Sequence, residues 1–205
     1  MHTEAVAPAT QKCLKLLATQ DWLKRFYLAG GTGLAMHLGH RLSEDLDFFS
    51  GQQVDPKDLR TRLAPLGKLK IEMEKEGTLW ATLNGTKLSF FQYEYPLLDS
   101  VENFEGVAVA GIRDIASMKL DALSSRGSKK DFVDLYFILK EGRSLQDILQ
   151  WFHEKFRGID YNKGHLLKSL AYFEDAEKEK DPHMLKKFSW PEVRTFFQHQ
   201  ATKII

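Results

Sequence analysis

The sequence has almost no cysteine, Cys13 being the only one. A single thiol cannot form an intrachain disulfide and has no second cysteine with which to bind a metal, which excludes a disulfide scaffold and is typical of a reducing compartment. No apolar run approaches the roughly 18 residues that a transmembrane helix needs. The start, MHTEAVAPAT, lacks the basic and apolar segments of a signal peptide. We therefore expect a cytoplasmic protein with no membrane partner.

The sequence also lacks an excess of charge of either sign. Lys and Arg together number 29, Asp and Glu 28, and the formal net charge is +1. No overall field therefore attracts nucleic acid or a membrane, although a local basic patch stays open. The 205 residues are 43% hydrophobic and 28% charged, which indicates a folded globular chain with one sizeable core or two small lobes.

One stretch, from Phe26 to Phe49, contains a glycine turn. Four apolar and aromatic residues run into Gly30-Gly31-Thr32, which predicts a strand that turns sharply into a short helix. Two glycines let another group approach the backbone closely. The first amides of a helix have no intrahelical partner, so they suit an anion such as phosphate.

Two carboxylates follow in the same stretch. Asp45-Leu46-Asp47-Phe48-Phe49 has strand character, and alternate residues of a strand share one face, so Asp45 and Asp47 should lie about 6–7 Å apart. Mg²⁺ prefers oxygen ligands and is often held by one or two carboxylates plus substrate phosphates. Either feature alone is weak, because such aspartates often form a solvated face. Together they predict a site for a nucleoside triphosphate and a divalent metal.

These segments carry a resemblance. Gly30-Gly31-Thr32, then GHRLS at 39–43 and DLDFF at 45–49, resemble the AbiEii/AbiGii-type nucleotidyltransferases, toxin-like members of the DNA polymerase β superfamily. The resemblance implies phosphates over the glycine turn and Mg²⁺ or Mn²⁺ on Asp45 and Asp47. It implies an NTP substrate, an acceptor hydroxyl on RNA such as tRNA or on a protein, and a cognate antitoxin.

Two later helices offer further site residues. Lys119 falls inside the apolar arc of a helix predicted at 114–124, so it either extends past its neighbours to solvent or meets a charge in a cleft, where it would bind the triphosphate. Asp131 and Asp134 share one stripe of a helix that is apolar nearly all round. Buried carboxylates need a partner. An ion pair with one of three nearby cations would provide it: Arg126, Lys129 or Lys130.

The resemblance implies that Lys119 contacts the triphosphate and that Asp131 orients or activates the acceptor hydroxyl, while Asp134 is structural. Arg41 and Ser43 precede the carboxylates. The forked donors of Arg41 could bind a phosphate, or pair with Glu44 or Asp45 instead. Ser43 either caps the loop or contacts phosphate, and the sequence leaves both open.

The sequence departs from the superfamily at one position. Polymerase β-type transferases generally use a third carboxylate on a following strand, and Ser89 stands there. Either Asp131 substitutes as the base from the other lobe, or transfer is slow or absent. The alternative function is therefore a catalytically impaired nucleotide-binding or partner-binding protein on the same fold. A metal-dependent phosphohydrolase is a third hypothesis.

The residue patterns predict an α+β fold. Strict alternation at 68–74 and an Asn84-Gly85 hairpin signal between two further strands predict a half-exposed sheet, and the resemblance makes it a nucleotidyltransferase-like mixed sheet with flanking helices. A helix is predicted at residues 10–24, and Asp55 followed by a proline predicts the cap of another helix that ends near Leu63. From Asp114 onward the periodicity is helical. We predict one bilobal unit, with residues 1–112 forming the nucleotidyltransferase-like lobe and 113–205 a helical bundle lobe that closes the cleft. The charge run at 174–181 is predicted to be solvated.

Overall fold

The computed structural model describes residues 1–204, and their side chains through residue 201. Within that range seven strands form one mixed sheet in the spatial order β3-β4-β5-β2-β1-β7-β6. The strands are β1 (Tyr27–Leu28), β2 (Leu46–Ser50), β3 (Leu69–Lys75), β4 (Thr78–Leu83), β5 (Thr86–Gln92), β6 (Glu102–Phe104) and β7 (Val107–Val109). The central strand β2 pairs antiparallel with β1 and parallel with β5.

Helices occupy most of the remaining chain. They are α1 (Pro8–Ala18), α2 (Gly30–Leu38), α3 (Pro56–Leu63), α4 (Ile112–Arg126), α5 (Lys129–Lys140), α6 (Leu145–Lys155), α7 (Lys163–Ser169), α8 (Glu174–Lys178) and α9 (Trp190–Ile204). Short 3-10 turns occur as well. Among the described residues, no helix combines the length and apolar character that crossing a membrane requires.

The sheet separates two apolar cores, because side chains alternate between its faces. Leu46 and Phe48 of β2 pack with α1 and α3 on one face. Phe49, the neighbour of Phe48, packs on the opposite face against the core built by α4 to α9. Asp47 therefore points to the same side as Phe49, toward the C-terminal helices. This alternation places a polar residue of the central strand between the sheet and the later helices.

The predicted α+β class is confirmed, with a mixed sheet and a helical C-terminal region. One predicted boundary was wrong, and one strand was not predicted. The helix predicted at 10–24 ends at Ala18, because Gln20 adopts an extended backbone before a 3-10 turn at Asp21–Arg25. The strand β6 could not be predicted from an alternating apolar pattern, because its residues are mostly exposed.

The predicted division at residue 112 stays a prediction, and its last residue, 205, lies outside the described part of the chain. Several residues from before that boundary share one core with the later helices, among them Tyr27, Leu34 and Leu38. Helix α2, which begins at the glycine turn, packs on both α4 and α5. The turn is thus positioned by residues from both halves of the sequence.

Candidate active site

A cavity of about 750 Å³ opens between the sheet and helices α4 and α5. Its volume falls in the usual range for small-molecule sites, about 300–1,000 Å³. Seven of the nine predicted site residues line it: Gly30, Gly31, Arg41, Ser43, Asp45, Asp47 and Lys119. The other two, Thr32 and Asp131, are buried behind its wall. The sequence therefore identified residues that the fold brings to one place.

The glycine turn forms one side of the cavity. Gly30 has φ +60°, and a Cβ there would lie 2.6 Å from Oδ2 of Asp47. A Cβ on Gly31 would lie 2.6 Å from Nη2 of Arg41. A side chain at either position would thus displace a charged group. The Gly33 amide donates to the Ala29 carbonyl at 3.0 Å, and the amides before it precede the hydrogen-bond ladder of α2.

Thr32 and Ser43 hold the loop that precedes the carboxylates. The Thr32 hydroxyl donates to the backbone carbonyl of Asp45 and lies 2.8 Å from Oγ of Ser43. Thr32 is 1% exposed, so its side chain fixes the loop, and only its backbone remains for a ligand. Ser43 contacts Thr32 and also lines the cavity, and its contact with phosphate stays a prediction.

The two carboxylates differ in their surroundings. Asp47 lies in β2 and pairs in register with Ser89 of the parallel strand β5, whose hydroxyl bonds its carboxylate. Burial raises the pKa of Asp47, and the nearby charge of Asp45 raises it further. Asp45 is exposed and precedes β2, so the prediction that it belongs to the strand was wrong. No described residue forms an ion pair or hydrogen bond with the Asp45 carboxylate.

Behind the cavity lies a buried group of charges, which we name the cavity cluster: His40, Arg41, Lys119, Arg126, Asp131 and Asp134. At its centre the Asp134 carboxylate accepts from Nε and Nη2 of Arg41 at 2.7 and 2.8 Å. It also lies 2.6 Å from Nζ of Lys119 and 2.8 Å from Nε2 of His40. Arg41 therefore pairs with Asp134, and neither of the partners predicted from sequence, Glu44 or Asp45, is used.

Asp131 holds two cations. Its carboxylate accepts from Nζ of Lys119 at 3.0 Å and from Nε and Nη2 of Arg126 at 2.7 and 3.0 Å. The Asp131 side chain is 0% exposed, while that of Arg126 is 62% exposed. Of the three partners the sequence offered, Arg126 is the one that Asp131 uses. The geometry gives Asp131 the task of positioning Lys119 and Arg126.

The cavity cluster carries a net positive charge. Burial lowers the pKa of His40, which keeps the imidazole neutral. Burial would also lower the pKa of Lys119, but Asp134 and Asp131 raise it above its usual value, so the ammonium stays charged. Three cations then face two carboxylates, an excess of one positive charge. Because three members line the cavity (Arg41, Lys119 and Arg126), the excess lies at its wall.

Sequence reasoning missed several lining residues. Phe49, Phe91 and Tyr93 form an aromatic wall, with ring centroids 5.1 Å apart for Phe49–Phe91 and 5.3 Å apart for Phe49–Tyr93. Asp121 of α4 also lines the cavity. The alternation of β2 and β5 could have placed the two phenylalanines on the face of Asp47. Asp121 lies outside the apolar arc of its helix, and no local sequence pattern shows what that side faces.

The charge run at 174–181 was also predicted incompletely. Most of its side chains are exposed, as expected. However, Glu179 accepts from the Lys129 amide at 2.9 Å and lines the cavity, and Asp181 pairs with Nζ of Lys129 at 3.0 Å. These contacts attach the run to the start of α5. Lys129, the partner of both, is one of the three cations predicted from sequence to pair with Asp131 or Asp134.

Known proteins resemble this chain in sequence and in fold. Residues 13–98 match the family described as "Nucleotidyl transferase AbiEii toxin, Type IV TA system". The uncharacterized protein aq_aa25 of Aquifex aeolicus (strain VF5) is 39% identical over 189 residues, which cover 88% of each chain. The segment that matches the family, residues 13–98, includes the glycine turn and both carboxylates and ends before Lys119.

Two solved structures share the fold. One, described as a candidate nucleotidyltransferase from H. pylori, has a TM-score of 0.59 and 21% identity and covers 100% of this chain and 96% of its own. The other, MenT4, a nucleotidyltransferase toxin of Mycobacterium tuberculosis, has a TM-score of 0.53 and 12% identity and covers 98% and 86%. The fold and the sequence matches agree, and the chain belongs to the AbiEii nucleotidyltransferase toxin family.

Proposed function

We propose that the protein is a metal-dependent nucleotidyltransferase that moves an NMP from an NTP to an acceptor hydroxyl. One observation carries this proposal: a single cavity combines free helix-start amides, two carboxylates and three cations of the cavity cluster. Amides at a helix start bind phosphate well, because they lack partners and the helix dipole favours negative charge there. This set matches a triphosphate held beside a metal.

Asp45 and Asp47 would hold the metal. Their oxygens are the ligands that Mg²⁺ and Mn²⁺ prefer, and Gly30 leaves no side chain between the turn and Asp47. The described residues contain no group of three or more His, Cys, Asp or Glu arranged to hold an ion. Phosphate oxygens and water would therefore complete the shell, as is usual for Mg²⁺. The bound ion would supply charge stabilisation at the phosphoryl group.

The cationic wall would bind the phosphates from the other side. Lys119 and Arg126 line the cavity and are held by Asp131, and Arg41 lies against Gly31 and is held by Asp134. Fixed cations stabilise charge that develops during transfer without having to reorganise. Asp131 acts in this proposal through the two cations, and Ser43 contributes a hydroxyl at the edge of the turn.

The biological role follows from the family. We propose that the protein is the toxin of a toxin-antitoxin or phage-defence pair, acting in the cytoplasm on RNA such as tRNA or on a protein. Its family is described as a type IV toxin-antitoxin family, and MenT4 is a nucleotidyltransferase toxin. Expression of the chain should then slow growth, and co-expression of the neighbouring reading frame should restore it. Unimpaired growth at high expression would contradict the toxin role.

The chemistry is tested by incubating the chain with each α-³²P-labelled NTP, Mg²⁺ and pooled RNA or protein. Asp45→Asn and Asp47→Asn should each abolish labelling while thermal unfolding remains cooperative. The control is Asp21→Asn, since Asp21 is 93% exposed and, in the part of the chain that the structure describes, its side chain pairs with Lys24 alone. Retained labelling in both site variants would remove the mechanism.

One observation favours the alternative, a nucleotide-binding or partner-binding protein without transfer. Ser89 is the register partner of Asp47, at the place where a third carboxylate was expected. Calorimetric titration with each NTP and Mg²⁺, run beside the labelling assay, separates the two functions. Binding without transfer to any acceptor would support the alternative.

A further inference from the structure

The cavity has two ends along the strand β2. The Ala29 amide donates to the Asp47 carbonyl at 3.0 Å, so the glycine turn that follows Ala29 lies beside Asp47. In the same antiparallel pair Tyr27 is opposite Phe49. Phe49 thus lies beyond Asp47, about 7 Å farther along the strand and away from the turn.

In the proposed reaction, on which this inference rests, these two ends have different occupants. The attacking and leaving oxygens of a phosphoryl group lie roughly in line. If the leaving pyrophosphate is held at the glycine turn, the acceptor hydroxyl must approach from the end of Phe49. The wall there consists of Phe49, Phe91 and Tyr93.

The acceptor hydroxyl needs a group to take its proton, and the expected candidates do not serve. Ser89 has no carboxylate. Asp131 is fully buried, lies outside the cavity lining and is engaged by Lys119 and Arg126. Those cations lower the pKa of Asp131 even though its burial would raise it, which makes it a weak base. Glu179 accepts from a backbone amide, and Glu44 precedes Asp45 on the side of the glycine turn.

Asp121 satisfies the geometric requirements. It is exposed, lines the cavity and follows Lys119 by two positions on α4. No residue in the described part of the chain forms an ion pair or hydrogen bond with its carboxylate. Tyr93 of the aromatic wall lines the same cavity as Asp121. Burial raises the pKa of Tyr93 and the Asp121 carboxylate adds to that rise, which agrees with a position of Asp121 near the aromatic end.

We propose that Asp121 is the general base that receives the proton of the acceptor hydroxyl. The O–H bond breaks and its proton moves to an Asp121 oxygen, while the acceptor oxygen forms a bond to the α-phosphorus. The bond from that phosphorus to the bridging oxygen breaks, and pyrophosphate leaves with the electron pair. Partial burial raises the pKa of Asp121, which makes it a better proton acceptor once ionised.

The test compares Asp121→Asn with wild type under saturating NTP and Mg²⁺. Loss of a general base should reduce kcat by about 10²- to 10⁴-fold. The calorimetric Kd for NTP should stay within about twofold, since the phosphates bind at the other end. Asp121→Glu, which keeps a carboxylate, should recover part of the rate. Asp21→Asn is the matched control, the same substitution at an exposed aspartate that does not line the cavity, and it should leave kcat nearly unchanged.

The pH dependence gives a second readout. The wild-type rate should rise as the base ionises, and that acid limb should disappear in Asp121→Asn. The other groups of the cavity that titrate or carry charge are these: Lys119 and Arg126 of α4, Lys130 of α5, Asp45 and Asp47 of the carboxylate pair, Tyr93, Arg41, Glu44, Glu179 and His183. None of these changes in the variant, so a limb that persists belongs to one of them and overturns the proposal.

The outcomes distinguish failure of the proposed role of Asp121 from failure of the proposed nucleotidyl transfer. If wild type transfers a nucleotide and Asp121→Asn does so at the same rate, only the role of Asp121 is overturned. If wild type transfers nothing to any pooled acceptor, both proposals fail. Since the Asp121 side chain is exposed and unpaired, the variant should unfold at the wild-type temperature, and a lowered Tm would itself contradict the geometry.

Discussion

The molecule contains two groups of buried charged residues, which share residue types and differ in the balance of their charges. In the first, Nζ of Lys155 donates to Asp114 at 2.7 Å and to the Pro96 carbonyl at 2.9 Å. The amides of Leu98 and Asp99 complete the shell of Asp114. One cation matches one anion, and both side chains are 0% exposed. This pair joins α4, α6 and the loop between β5 and β6, and its two charges balance.

The cavity cluster is different because its charges do not balance. Three cations share two carboxylates, and Arg126 is 62% exposed. Burying charge costs free energy in both groups, and in each the cost is offset by close partners. The balanced pair is therefore a structural connection, whereas the cations of the cavity cluster face the cavity, where they interact with Asp47 and are available to a bound anion. The difference separates a scaffold residue such as Lys155 from a site residue such as Lys119.

The largest expected effect is that of Asp134→Asn. This change leaves Arg41 without its carboxylate and Lys119 with one instead of two, and unpairing a buried charge costs about 3–5 kcal/mol. Chemical denaturation at pH 7 should show that loss in the free energy of unfolding. A loss below about 1 kcal/mol would mean that the cluster is hydrated and not buried.

The pH dependence of the same variant has a definite sign. Burial would raise the pKa of Asp134, but Arg41 and Lys119 hold it well below its usual value. When the pKa of a carboxyl group is lower in the folded state than in the unfolded state, its ionised form stabilises the fold. This stabilisation is complete above the pKa of the unfolded state, about 3.9, and is lost as the pH falls through the pKa of the folded state. The difference in free energy of unfolding between wild type and Asp134→Asn should therefore be constant from about pH 7 to pH 5 and should decrease only in strong acid.

A second prediction contrasts the two buried lysines directly. Lys155→Met removes the only side-chain cation that pairs with Asp114 among the described residues, and it should cost about 3–5 kcal/mol of unfolding free energy. Lys119→Met leaves Asp134 with Arg41 and Asp131 with Arg126, so we expect a smaller loss, about 1–2 kcal/mol. Only Lys119→Met should weaken NTP binding, by about 10- to 100-fold.

Both measurements are needed for this contrast, denaturation for stability and calorimetry for affinity. Equal losses of stability would show that the cavity cluster does not share its charges as the distances suggest. Normal NTP affinity in Lys119→Met, together with a stability loss, would make Lys119 a scaffold residue like Lys155.

The smallest expected effect is that of Asp47→Asn on stability. Burial raises the folded pKa of Asp47 above its unfolded value, so its ionised form costs stability as pH rises from the unfolded value through the folded one. Asp47→Asn should raise Tm by a few degrees at pH 7 in a buffer with chelator, and it should leave Tm unchanged near pH 3. A lower Tm at pH 7 would show that the ionised carboxylate is stabilising. Gain of stability with loss of transfer is the trade-off expected of a site residue.

Much of the fold could be predicted from sequence, because its signals are local. Asp55 caps α3, which ends at Leu63 as predicted, and the Asn84-Gly85 turn joins β4 to β5. The glycine turn and the aspartates could be assigned for the same reason, since a short segment contains them. The strand β6 and the early end of α1 were missed, because they depend on neighbours and not on periodicity.

The partners of the charged residues could not be predicted. Arg41 and Asp134 are 93 positions apart and meet only because loop and helix pack against each other. The sequence by itself determined which residues carry charge, which must be buried and which segments turn, since these follow from side-chain chemistry and spacing. The tertiary structure decided which carboxylate binds which cation, and it left Asp121 open to the cavity, because ion pairing depends on distances that no local pattern fixes.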